Sequence, residues 1–133
     1  MPPHVRRVLL VDDHVPIRIT LRRMLTGYDD VHVVGEACDG KQAIELVPLY
    51  QPHVVVMDFY MPRMNGVEAA RLIKKSSGET VIIGLCSVPN TYITDEFLKA
   101  GALAVILKDR IEHLHSTIQR AFPKRASSDH LLA

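Results

Sequence analysis

His53-Val54-Val55-Val56-Met57-Asp58-Phe59-Tyr60-Met61-Pro62-Arg63-Met64-Asn65-Gly66 begins as a strand and ends as a loop. Val54 to Met57 is a short apolar run of the kind that forms a strand buried on both faces. It closes on a carboxylate, Asp58. Pro62 and the Asn65-Gly66 pair then break the chain before a helical pattern starts at Val67. A carboxylate at the carboxyl end of a buried strand, followed by a loop, sits where open α/β sheets bind ligands. Taken alone, Asp58 is a polar residue that ends a strand. Two other strand ends change that reading.

Toward the N-terminus, Val8 to Val11 reads as a first buried strand ending on Asp12-Asp13. Adjacent carboxylates repel unless a cation or a hydrogen-bond donor is at hand. The alternative for this pair is capping of the helix that follows. That helix runs from His14 to Gly27, with Pro16 in its first turn and an apolar face of Ile17, Leu21, Met24 and Leu25. Val31 to Gly35 is a second strand. A helix carrying Ala43, Ile44 and Val47 follows, and Pro48 is expected to end or kink it.

Toward the C-terminus, Val67, Ala70 and Ile73 mark a helix that fades in Ser76-Ser77-Gly78. Val81 to Cys86 is the fourth strand, ending on Ser87. A weaker helix spans Thr91 to Ala100 and stops at Gly101. Ala102 to Leu107 is the fifth strand and ends on Lys108. Ile111, Leu114, Ile118 and Ala121 give the last helix its apolar stripe. Five β-α units in strict alternation imply a parallel sheet covered by helices on both faces. Asp12-Asp13, Asp58, Ser87 and Lys108 then fall along one edge of that sheet.

Composition sets bounds on what such an edge can do. A length of 133 residues with 47% hydrophobic content suits one domain with a proper core. A net charge of +1 gives no case for nucleic-acid binding by this chain or for a membrane partner. No apolar run approaches the ~20 residues of a membrane span. The N-terminus lacks a signal-peptide layout, so the expected location is the cytoplasm. Two cysteines, Cys38 and Cys86, are too few for a disulfide framework. The seven histidines are scattered and form no metal-site pattern.

Three carboxylates in one pocket drive one of their number to protonate unless a cation intervenes. Oxygen ligands with room for water suit Mg²⁺, which binds one or two carboxylates together with phosphate oxygens. Lys108 supplies a point charge able to pair with Asp58 and then with a phosphoryl oxygen. Ser87 can donate to another. A carboxylate nucleophile beside Mg²⁺ is suited to become an aspartyl phosphate.

Val-Asp-Asp at 11–13, Met-Asp-Phe-Tyr-Met-Pro-Arg-Met-Asn-Gly at 57–66, Ser87 and Lys108 resemble the response-regulator receiver domains of two-component signalling, over about residues 5–121. Val-Asp-Asp-His at 11–14 and Lys108-Asp109 resemble the NarL/FixJ-like, LuxR-type branch. The resemblance implies a flavodoxin-like (βα)5 fold with strand order 2-1-3-4-5. It implies Asp58 as phosphoacceptor from a sensor histidine kinase, with Ser87 and Lys108 assisting. It also implies Mg²⁺ held by Asp13, Asp58 and the backbone carbonyl of Tyr60, with Asp12 assisting. The face of the fourth helix, fifth strand and fifth helix is then the output surface and a possible homodimer contact. In this strand order Cys38 and Cys86 lie roughly 14 Å apart, three strand spacings, and stay free thiols.

Residues 122–133 read as a tail or the start of a linker, leaving open a stand-alone receiver or a fragment whose output domain follows. Three departures bear on signal readout. Val105 stands where receivers often carry an aromatic ring, and Val88-Pro89 follows the hydroxyl where a small residue is common. Two rivals share some of these features. A haloacid-dehalogenase-type phosphatase places a second Asp two residues after its nucleophile, where this chain has Tyr60. A pseudo-receiver keeps the fold and a partner surface without being phosphorylated.

Overall fold

The computed structural model describes residues 4–123. Its strands are β1 (Arg6–Val11), β2 (Val31–Ala37), β3 (Val54–Asp58), β4 (Val81–Cys86) and β5 (Ala104–Leu107). The helices between and after them are α1 (Val15–Thr26), α2 (Gly40–Tyr50), α3 (Gly66–Ser76), α4 (Thr91–Lys99) and α5 (Leu114–Ala121). All pairings are parallel, in the order β2-β1-β3-β4-β5. The fold is the flavodoxin-like (βα)5 arrangement expected. Residues 124–133, most of the expected tail, lie outside the described residues.

Side chains alternate across the sheet and make two cores. Leu9, Val11, Val55, Met57 and Ile82 face α2, α3 and α4, whose Val47, Ile73 and Phe97 fill that side. Val8, Leu10, Val54, Val56 and Leu85 face α1 and α5, which contribute Leu21, Leu25, Leu114 and Ile118. Every residue of β3 is buried, as its continuous apolar run requires. Gly84 lets α4 lie close on the sheet. A Cβ there would sit 2.8 Å from the Phe97 ring.

Three local expectations are corrected. Pro48 neither ends nor interrupts α2, which continues to Tyr50 and closes through the Gln51 N–H donating to Val47 O at 2.8 Å. So near the end of a helix, the missing proline N–H removes only the bond to the Ile44 carbonyl. The fifth strand starts at Ala104, because Gly101 turns the chain at φ +103°. The stripe beginning at Ile111 does not start a helix. Lys108–His113 forms a 3-10 segment broken at Arg110 (φ −129°, ψ 34°), and α5 begins only at Leu114. Both cysteines are free thiols, Cys38 exposed and Cys86 buried.

Candidate functional site

Four strands end at the same edge and present the polar residues read from the sequence. Asp12 follows β1, and its own N–H continues the sheet by donating to Ala37 O at 3.1 Å. That extended backbone aims its side chain inward, and Asp12 is fully buried. Asp13, one residue on, is exposed. Asp58 ends β3 and is 1% exposed. Lys108 follows β5 and reaches back across the sheet edge. Its Nζ lies 2.8 Å from Asp12 Oδ2 and 3.0 Å from Asp58 Oδ1.

One ammonium therefore bridges two buried carboxylates, and the balance is incomplete. Burial first, and the Asp12 charge second, push the Asp58 carboxyl up to about 6, against the opposing pull of Lys108. Burial alone would lower Lys108, but its hydrogen bonds to Asp12 and Asp58 outweigh that and hold it above its ordinary value. Asp58 Oδ2 is buried without a hydrogen-bond partner. Such an orphaned carboxylate oxygen is costly unless something positive or hydrogen-donating meets it.

The loops holding these groups are tightly determined. Asp12 Oδ1 accepts from the His14 N–H at 2.9 Å, so Asp12 also makes the turn into α1. Arg18 of α1 donates to the Asp12 carbonyl and pairs with Glu36 of β2 at 2.8 Å. Arg22, one turn further, takes the other Glu36 oxygen at 2.7 Å. Beyond β3, Gly66 donates to Phe59 O at 2.9 Å and lies so near the strand end that a Cβ would fall 2.0 Å from Asp58 O. Asn65 and Glu68 form a reciprocal capping box that starts α3 at that point.

Asp12, Asp13, Asp58 and Lys108 are thus brought together as expected, and Ser87 stands exposed just beyond β4. Tyr60 is 58% exposed with its ring edge-on to Phe59, and Val88 is 61% exposed. Val105 is half-buried against the α4 side of the core. His14 was not anticipated. One ligand atom from each of Asp12, Asp13, His14 and Asp58 lies within 4.8 Å of the others. Arg18 and Glu36 were also unread, since nothing in the spacing of two charged residues in separate elements links them. The donor set is rich in oxygen and includes a buried, unpartnered one. It fits a divalent cation.

This strand order and this charge arrangement have known counterparts. The profile of the response regulator receiver domain matches residues 8–119. The chain belongs to that family. Transcriptional regulatory protein YdfI of Bacillus subtilis (strain 168) is 36% identical over 105 residues, covering 79% of this chain and 49% of that protein. LiaR of the same strain is 37% identical over 102 residues, covering 77% of this chain and 48% of its own length. The receiver thus spans about half the length of these curated relatives. Among solved structures, the signal receiver domain of the putative response regulator NarL from Mycobacterium tuberculosis superposes with a TM-score of 0.82 at 31% identity. That alignment covers 92% of this chain and all of the other. The response regulator domain of Thermotoga maritima CheB gives 0.81 at 33% identity, over 90% of this receiver and 98% of that domain. No helix among the described residues is long and apolar enough to cross a membrane.

Proposed function

We propose that this receiver accepts a phosphoryl group on Asp58 from a sensor histidine kinase and relays the change to a partner surface. The observation that carries this is the Lys108 bridge between two buried carboxylates, of which Asp58 keeps one oxygen without a partner. An Asp58 oxygen forms the new bond to phosphorus as the phosphorus–nitrogen bond to the kinase's histidine breaks, the nitrogen retaining the electron pair. Lys108 then transfers its ion pair from the Asp58 carboxylate to a phosphoryl oxygen, while remaining on Asp12. The Ser87 hydroxyl donates to a second phosphoryl oxygen.

Asp13, Asp58 and the Tyr60 backbone carbonyl would hold Mg²⁺, with Asp12 assisting. When bound, the ion neutralises charge on the transferring group. Asp12 is the less direct of the acidic pair, because its two oxygens already face the His14 N–H and Lys108. Output runs through the face of α4, β5 and α5, which also serves homodimer contact; on α4, Tyr92 and Leu98 are exposed. Because Val105 carries no ring, the switch there rests on Ser87 and the loop after it. In a longer protein the output is transcriptional regulation.

Mass spectrometry after incubation with acetyl phosphate and Mg²⁺ tests the reading. One added phosphoryl group that Asp58→Asn abolishes is expected. An unmodified wild type, or modification that persists in Asp58→Asn, overturns it.

A further inference from the structure

The acidic cluster also holds a nitrogen. His14 Nδ1 lies 3.0 Å from Asp13 Oδ1 and 3.1 Å from Asp12 Oδ1. With its proton on Nδ1 the ring donates to these carboxylates; with its proton on Nε2 it turns the Nδ1 lone pair toward the same cluster, where a metal ion can take it up. The ring has no other structural task. His14 occupies the N-cap of α1 with extended backbone, and its side chain makes no capping bond. Asp12 stands between the two nitrogens, with Oδ1 toward His14 and Oδ2 toward Lys108. A second, independent feature points to a ligand here: the nearly inaccessible Asp58 contributes to the same cluster and keeps its Oδ2 unpartnered.

We propose that His14 is a further metal ligand, and that it makes this site take borderline divalent cations such as Co²⁺ and Ni²⁺ more tightly than Mg²⁺. The inference rests on the reading that the acidic cluster binds a cation at all. Mg²⁺ prefers oxygen and gains little from an imidazole, whereas borderline ions gain much from one. The ring is mostly exposed, so it can turn toward an ion without repacking the core. A borderline ion held this way competes with Mg²⁺ for the same carboxylates.

The test is calorimetric titration of wild type and His14→Asn with Mg²⁺ and, separately, with Co²⁺, both at the same pH. Asparagine is a favoured N-cap residue, so α1 keeps its start. Co²⁺ is expected to bind wild type more tightly than Mg²⁺ and to lose about tenfold or more in His14→Asn, while Mg²⁺ changes by less than about twofold. The visible absorption of bound Co²⁺ is expected to shift in the variant as a nitrogen leaves its coordination shell, and excess Mg²⁺ to displace it. Unchanged Co²⁺ affinity in His14→Asn, or equal weakening of both ions, overturns the role of His14 and leaves the Mg²⁺ site standing. A wild type that binds neither ion overturns both.

Discussion

Replacing Asp58 by asparagine is expected to stabilise the protein at neutral and alkaline pH in the absence of divalent metal. The amide keeps the shape of the carboxylate and removes its charge. Burial and Asp12 raise the Asp58 carboxyl from 3.8 to about 6, so the ionised form is disfavoured by folding. A separation of about 2 pH units corresponds to roughly 3 kcal/mol. The sign follows from the raised value. The contribution of Asp58 to stability is fully present below 3.8 and is lost as pH rises through about 6. Asp58→Asn should therefore gain up to about 3 kcal/mol at pH 8, shrinking to about 1 kcal/mol at pH 4.5, where the folded wild type already carries the proton. Urea unfolding followed by far-ultraviolet circular dichroism, in EDTA, measures both. Adding Mg²⁺ should narrow the gap by binding the folded wild type. A variant no more stable than wild type at pH 8, or a gain of equal size at both pH values, refutes the reasoning.

Gly66→Ala forces a Cβ against the Asp58 carbonyl and should cost about 3 kcal/mol in urea unfolding; a loss below about 1 kcal/mol would mean that the loop yields easily. Arg18→Met leaves Glu36 to Arg22 alone and frees the Asp12 carbonyl, for an expected loss of about 2 kcal/mol by the same measurement. Mg²⁺ titration should show Asp13→Asn weakening binding more than Asp12→Asn, and equal losses would contradict the unequal roles. His53 accepts the Arg7 N–H on Nδ1 at 2.8 Å, and burial first, then the charges of Arg7 and Arg6, hold its ring below the ordinary 6.5. Its lowered value means that stability is lost as pH falls through 6.5, because the unfolded chain takes up the proton first. His53→Gln should flatten the stability profile between pH 7 and 5.5, and an unchanged profile counts against the assignment.

Strand positions were legible because a strand buried on both faces must be apolar throughout, as Val54–Met57 and Val81–Cys86 are. The functional strand ends were legible as breaks in that rule. The unequal burial of Asp12 and Asp13 was not, since it depends on Asp12 continuing the pairing with Ala37, which no local pattern encodes. His14 carried no periodic signal, and only its place directly after two carboxylates pointed to the site. The 3-10 segment after Lys108 was hidden because Ile111 packs against the core from a non-α backbone and so mimics a helical stripe. Pro48 misled because its cost depends on how few turns remain after it.

The ammonium that balances the pocket arrives late. During synthesis β1 and β3 leave the ribosome well before β5, and among the described residues only Lys108, one residue past β5, bridges Asp12 and Asp58. A nascent chain that has assembled the sheet through β4 carries two facing carboxylates with no lysine between them. Until Lys108 arrives, nothing on the earlier strands offsets their repulsion as they are buried, so closing the sheet's carboxyl edge without β5 would be costly. Docking of the last strand thus removes a charge conflict as well as burying apolar surface, which couples completion of the sheet to completion of the site.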